Sequence, residues 1–267
     1  MNGMLERLYR SKAAESAADA SIQSYEDVER LARERRSERR TFRGAIERAQ
    51  GAAIVAEVKH ASPSAGVIVR DFDAVRIAQF YEEARADAIS VLTEFAHFKG
   101  RLAHLDLVRT CTTRPILRKD FLSTPYEIAQ SAAHGADAVL LIVAGLNDAQ
   151  LSSCLAEAAK FDLDALVEIH TEDELDRAVE SGATVLGINN RNLQTFETDV
   201  GVSERLLPLI PQGCPVICES GIRGPEDVER LAPLGARGFL VGEMLLRRPD
   251  PHHAIGELRN AAMARPA

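Results

Sequence analysis

Charged side chains in this chain recur in one setting, directly behind short apolar runs. In "AEVKHASPSAG" (residues 56–66) Glu57 and Lys59 follow "AAIVA", and "PILRKDF" carries Arg118, Lys119 and Asp120. "DALVEIH" ends on Glu168 and His170, "VLGINNR" on Asn189, Asn190 and Arg191, and "PVICESG" brings Glu219 and Ser220. Residues two apart on a strand share a face, so Glu57 and Lys59 point the same way. Burying charge is costly unless the charge is paired or used. Lysines and carboxylates gathered in a partly dry mouth shift one another's proton affinity, which suits general acid and base work on a small substrate. Any one of these residues alone could be a structural ion pair. Five charged ends on the same side of eight apolar runs favour a site.

A second group points to phosphate. Gly221 in "ESGIRGPEDV" and Gly242 with Glu243 in "VGEMLL" stand where backbone N–H groups can approach an anion closely. Lys59 and Ser62 of the small "SPSAG" loop belong beside them. Taken alone, the glycines are tight turns between a strand and a helix. His, Cys and carboxylate residues lack metal-ligand spacing, so neither a metal nor a cofactor is expected. His170 is the tempting exception, but it, or Thr171 next to it, is expected to start the following helix. Cys111, Cys154, Cys214 and Cys218 are expected to be reduced structural thiols.

The elements that must position these groups show in the rhythm of the chain. From Ala52 onward, short runs rich in Val, Ile and Leu alternate with amphipathic segments such as "DAVRIAQFYEEARA" and "TEDELDRAVESGA", several opened by Asp or Thr as N-caps. Eight strand candidates recur at intervals long enough for a strand, a helix and two loops. Eight such units close into a (β/α)₈ barrel, whose active-site face is the C-terminal end of its strands. A doubly wound sheet would carry a Gly-rich dinucleotide turn after its first strand, which is missing. The expected organisation is a helical extension over residues 1–50 and a barrel over 51–267. Within the extension "RERRSERR" (Arg33 to Arg40) is expected to be a solvated helix face rather than a basic binding patch.

With 267 residues, 46% of them hydrophobic, the chain can bury a large core. A net charge of -8 gives no general attraction for nucleic acid or an anionic membrane. The chain has no apolar run near the length of a membrane helix and no leader pattern, so a cytoplasmic protein acting on a small molecule is expected, as a monomer or weak homo-oligomer.

At these motifs the chain resembles the indole-3-glycerol phosphate synthase family, (β/α)₈ barrel enzymes of tryptophan biosynthesis. The resemblance runs from about Thr41 to Pro251 and rests on "AEVKHASPSAG", "RDFD", "SVLTE", "LRKDF", "PYEIAQ", "GADAVLLIVAGL", "LVEIHTEDEL", "GINNRNLQTFETD", "CESGI" and "LVGEMLLRRPDP". It implies a substrate, 1-(2-carboxyphenylamino)-1-deoxyribulose 5-phosphate, and closure of the indole ring with loss of carbon dioxide and water. By resemblance Lys119 is the general acid, and Lys59 the second lysine, which also contacts the substrate carboxylate. Glu168 and Glu57 share base or proton-relay work. Asn189 and Glu219 orient substrate hydroxyls and the lysines, and Arg191 lies near the carboxylate. Ser220 also belongs to the substrate site. Phe98, Phe121, Leu140, Leu193 and Ile222 wall the anthranilate ring. Ser62, Lys59, Gly221, Gly242 and Glu243 hold the phosphate, and the N-terminal extension caps the mouth.

The chain departs from the family pattern at two places in its loops, and its N-terminal extension matches poorly. Ala65 stands where a lysine is usual, which removes a mobile positive charge from the loop, and Arg101 stands where a serine is usual. Three other readings stay open at this level: a related phosphate-binding barrel such as phosphoribosylanthranilate isomerase, a secondary-metabolite paralogue of the same activity, and a non-catalytic binding protein. The isomerase would not account for Lys59, Lys119, Glu57 and Glu168 together.

Overall fold

The computed structural model describes residues 3–192, 195, 197–248 and 250–263. Eight parallel strands close into a barrel: β1 (Ala53–Val58), β2 (Ala88–Leu92), β3 (Ile116–Lys119), β4 (Ala138–Ile142), β5 (Asp164–Ile169), β6 (Val185–Asn189), β7 (Val216–Glu219) and β8 (Gly238–Val241). The ring is sealed where β1 pairs with β8, Ala53 against Gly238 and Ile54 against Phe239. This is the (β/α)₈ barrel expected from the sequence.

Alternation along each strand sorts side chains into two cores. Ala53, Val55, Leu117, Leu140, Leu166, Val185, Ile217 and Leu240 fill the barrel interior. Ile54, Ala56, Ile116, Val139, Val167, Leu186 and Phe239 face the surrounding helices. Those helices begin at chemically marked places. Asp73 caps α4 (Ala74–Glu83), and Thr124 and Glu127 form a reciprocal capping box at α6 (Pro125–Ala133), whose first residue is Pro125. Thr171 caps α8 (Glu172–Glu180) by accepting from the Glu174 amide, as expected for the residue after His170.

The N-terminal segment reaches both ends of the barrel. Helix α1 (Met4–Ile22) brings Leu5 and Leu8 to the mouth. Helix α2 (Tyr25–Glu34) lies along α6, and α3 (Phe42–Arg48) pushes Phe42 and Ile46 into the bottom of the interior core. Between them the arginine run departs from the expected solvated face. Arg40 donates to the carbonyls of Thr112 at 2.8 Å and Arg114 at 2.9 Å, Arg39 to Ala132 at 2.6 Å, and Arg35 to Ala133 at 3.0 Å. These carbonyls belong to the segment leading into β3 and to the last turn of α6 before β4, at the end opposite the mouth. Guanidinium forks satisfy backbone acceptors that a turn leaves open, which composition alone does not reveal.

Candidate active site

At the mouth, a cavity of about 440 Å³ is lined by Glu57, Lys59, Lys119, Glu168, Asn189 and Arg191 among other residues. On β1, β3, β5 and β7 the inner face supplies its group two residues beyond the last apolar one. Glu57 follows Val55, Lys119 follows Leu117, Glu168 follows Leu166 and Glu219 follows Ile217. The same alternation corrects part of the sequence reading. Arg118 and Asn190, one residue out of phase, turn away from the mouth. Arg118 is fully buried against α6, donating to Gln130 and Ser131 at 3.2 and 3.1 Å. Asn190 accepts from the Ser203 amide at 3.0 Å.

Lys119 is the hub of the charged floor. Its ammonium pairs with Glu219 and lies 3.7 Å from Glu168, while Lys59 pairs with Glu57. Asn189 donates to Glu168 at 3.0 Å, and its own oxygen accepts from the Arg191 amide at 3.0 Å. Glu57, Glu168 and Glu219 are 3%, 1% and 0% exposed, so three carboxylates share two lysines out of water. Burial pushes Glu219 up to about 7, with Glu168 and Glu57 adding to the effect and Lys119 opposing it. Burial disfavours the charge on Lys119, but Glu219, Glu168 and Glu57 together outweigh it and hold the ammonium above the usual lysine range. For Glu57, burial is outweighed by Lys59 and then Lys119, which keep its carboxyl below the usual range.

Two glycines make room for these carboxylates. A Cβ at Gly242 would stand 2.5 Å from Glu57 Oε2, and one at Gly187 would collide with Glu219 Oε1. Gly221 has a further reason, a φ of 75°, and the preceding Ser220 shares this left-handed region at 61°. Non-glycine residues are held there at a cost that functional sites often carry. The Asn190 amide fixes the turn by donating to the Ser220 carbonyl at 3.1 Å.

Of the remaining expected residues, Ser62, Phe98, Phe121, Leu140, Ser220, Gly221, Ile222, Gly242 and Glu243 all line the cavity. Leu193 lies outside the described residues. Glu243 pairs its carboxylate with Arg247 at 2.9 Å, which leaves its backbone amide as the group suited to an anion. The "SPSAG" loop contains a short antiparallel pair, Ala61–Ser62 with Gly66–Val67, and Ser64 is 3.5 Å from the Arg191 guanidinium. Arg101, one of the departures, stacks over Phe95 with 4.9 Å to the ring centroid.

Sequence reasoning gave the N-terminal extension as a cap by resemblance but singled out no residue of α1. Leu5 and Leu8 line the cavity, and Lys12 is 2% exposed and reaches Asp120 at 2.9 Å. Asp120 also pairs with Arg118 at 3.2 Å and accepts from Thr93 at 2.5 Å. The residue after Lys119 is thus tied to the helix above the mouth. Leu5, Leu8 and Lys12 are spaced by three and four, a helical stripe that could have flagged this face.

Comparison with known proteins adds a family to this geometry. The family model described as indole-3-glycerol phosphate synthase matches residues 5–258. An indole-3-glycerol phosphate synthase of Mycolicibacterium gilvum is 47% identical over 214 residues, covering 80% of this chain and 79% of that protein. One from Koribacter versatilis is 41% identical over 260 residues, covering 97% and 99%. Among solved structures, 3-hexulose-6-phosphate synthase from Salmonella typhimurium superposes with a TM-score of 0.63 at 13% identity, covering 79% of this chain and 98% of that one, a likeness of fold alone. With lysines, carboxylates and glycines in a barrel mouth and a match over nearly its whole length, the chain belongs to the indole-3-glycerol phosphate synthase family.

Proposed function

We propose that the cavity binds 1-(2-carboxyphenylamino)-1-deoxyribulose 5-phosphate and converts it to indole-3-glycerol phosphate, as a carboxy-lyase of tryptophan biosynthesis. The observation that carries the assignment of roles is the Lys119 ammonium, held at the cavity floor between Glu219 and Glu168. As the ring carbon attacks the ketone, negative charge develops on the ketone oxygen, and Lys119 protonates it. Carbon dioxide then leaves and restores the aromatic ring. Departure of the hydroxyl as water needs a second proton, and loss of the neighbouring C–H proton needs a base. Lys59, Glu57 and Glu168 serve these steps, and Glu219 and Asn189 orient Lys119 and Glu168.

Binding follows the chemistry of the walls. Phe98, Phe121, Leu140 and Ile222, with Leu5 and Leu8 above them, suit the anthranilate ring. Leu193 is assigned to the same wall by resemblance. Arg191 and Lys59 meet the substrate carboxylate. Ser62, Lys59 and the backbone at Ser220, Gly221, Gly242 and Glu243 take the phosphate. We read residues 1–50 as a capping extension on a barrel domain of residues 51–267. We expect the protein to act in the cytoplasm, on a small phosphorylated substrate, as a monomer or weak homo-oligomer.

The test mixes the protein with this substrate and follows indole fluorescence. Wild type should give a signal and Lys119→Ala should lose turnover by about 10² to 10⁴-fold with its circular dichroism unchanged. A folded wild type that stays dark, or a variant that keeps its rate, overturns the assignment.

A further inference from the structure

Resting on the reaction assigned above, we infer that His170 returns from solvent to the Lys119–Glu168 pair the proton that each turnover consumes, while product still fills the mouth. Proton balance calls for such a supply. The substrate enters with an ionised carboxylate, and its products are indole-3-glycerol phosphate, neutral carbon dioxide and water. Two protons are donated, one to the ketone oxygen and one to the departing hydroxyl. One returns when the ring C–H is lost to the base. Each turnover therefore consumes one proton from outside, with no change of oxidation state beyond that carried by the leaving carbon dioxide. Bound substrate, and after it bound product, blocks the mouth above Lys119 and excludes water there.

The structure offers a second route. His170 stands two residues beyond Glu168, with its Nε2 3.5 Å from Glu168 Oε1. Its Nδ1 is 3.1 Å from Glu174 Oε2, and the same oxygen accepts from the His170 amide at 2.7 Å. Glu174 thereby favours the proton on Nδ1 and turns Nε2 toward the active site. Nε2 is buried without a well-aligned hydrogen-bond partner. On its outer side the ring borders a surface cleft lined by His170, Thr171, Glu172, Asp173, Arg205 and Leu206. A proton taken from this cleft passes to His170, from Nε2 to Glu168, and across 3.7 Å to Lys119. The groups facing the ring are Glu168 from β5, Glu174 from α8, and Glu172, Asp173 and Arg205 around the cleft. Burial disfavours charge on the imidazole, but Glu174 and Glu168 on its two sides outweigh this and hold its pKa above the ordinary value. His170 acts through Glu168 and does not itself face the cavity.

A relay and a structural role separate when one turnover is compared with many. Indole formation is followed in single-turnover mode, with enzyme in excess, and in steady state, for wild type, His170→Ala and His170→Asn. The first turnover draws on protons already resident, so both variants should keep the single-turnover rate within about two-fold and lose about ten-fold or more in steady state. Added imidazole should restore His170→Ala in proportion to its concentration. His170→Asn, which retains a donor for Glu174 but carries no proton, should stay slow. Steady-state rates equal to wild type, parallel loss in both modes without imidazole rescue, or full activity in His170→Asn would each overturn the relay. A wild type that forms no indole in either mode overturns the reaction itself and the relay with it.

Discussion

Replacing Glu219 by Gln removes one of three carboxylates from the floor of the mouth, and its effect on stability can be worked through. Burial, then Glu168 and Glu57, raise the folded-state pKa of Glu219 from the ordinary 4.5 to about 7. Between those values the folded protein holds a proton that the unfolded chain has released, so stability falls as pH rises through this window. At about 1.4 kcal/mol per pKa unit, the ionised carboxylate costs the fold about 3 kcal/mol by pH 8. Gln is neutral throughout and escapes this cost. Its amide also brings a penalty of about 1 to 3 kcal/mol, because Glu219 Oε1 has no hydrogen-bond partner for the new N–H to use. That penalty is the same at every pH, so the informative quantity is how the gap between the two proteins changes. Urea unfolding followed by circular dichroism at pH 5 and pH 8 should move the gap by about 2 to 3 kcal/mol in favour of Glu219→Gln at the higher pH. Turnover should fall as well, since Lys119 loses its closest partner. A gap that stays constant between the two pH values would refute the claim that Glu219 is held at raised proton affinity.

Two further substitutions probe the supports of the site. Lys12→Met should destabilise the protein by about 2 kcal/mol, less than a fully broken buried pair because Arg118 and Thr93 still serve Asp120, and should raise KM as α1 loosens with Leu5 and Leu8; unfolding curves and substrate titration check both. Gly242→Ala places a Cβ 2.5 Å from Glu57 Oε2, so the carboxylate must swing away from Lys59, and kcat/KM should drop by about ten-fold or more in the fluorescence assay.

The barrel was legible because each strand is a short apolar run, five of the eight followed by charged residues, and several helices between them begin with Asp or Thr. Catalytic candidates were legible for the same reason, since alternation carries the inner face from Val55 to Glu57 and from Leu117 to Lys119. What sequence inspection blurred was phase. Arg118 and Asn190 sit one residue from catalytic candidates, and only the pleat sends them to the helix layer. The arginine run and Lys12 were misjudged or missed because their partners are carbonyls and a carboxylate far along the chain. Local composition holds no record of Thr112, Ala132 or Asp120.

The placement of the N-terminal segment bears on how the polypeptide is made. Arg35, Arg39 and Arg40 leave the ribosome well before Thr112, Ala132 and Ala133, and Lys12 well before Asp120. The last link comes later still, for Arg237, just before β8, donates to the carbonyls of Glu47, Ala49 and Gly51. During synthesis the first helices must therefore wait until residues 112–133 have emerged, and the stretch between α3 and β1 until Arg237 has. Their high charge then serves solubility before it serves attachment, and a newborn chain halted ahead of Arg237 would lack the fastening at residues 47–51.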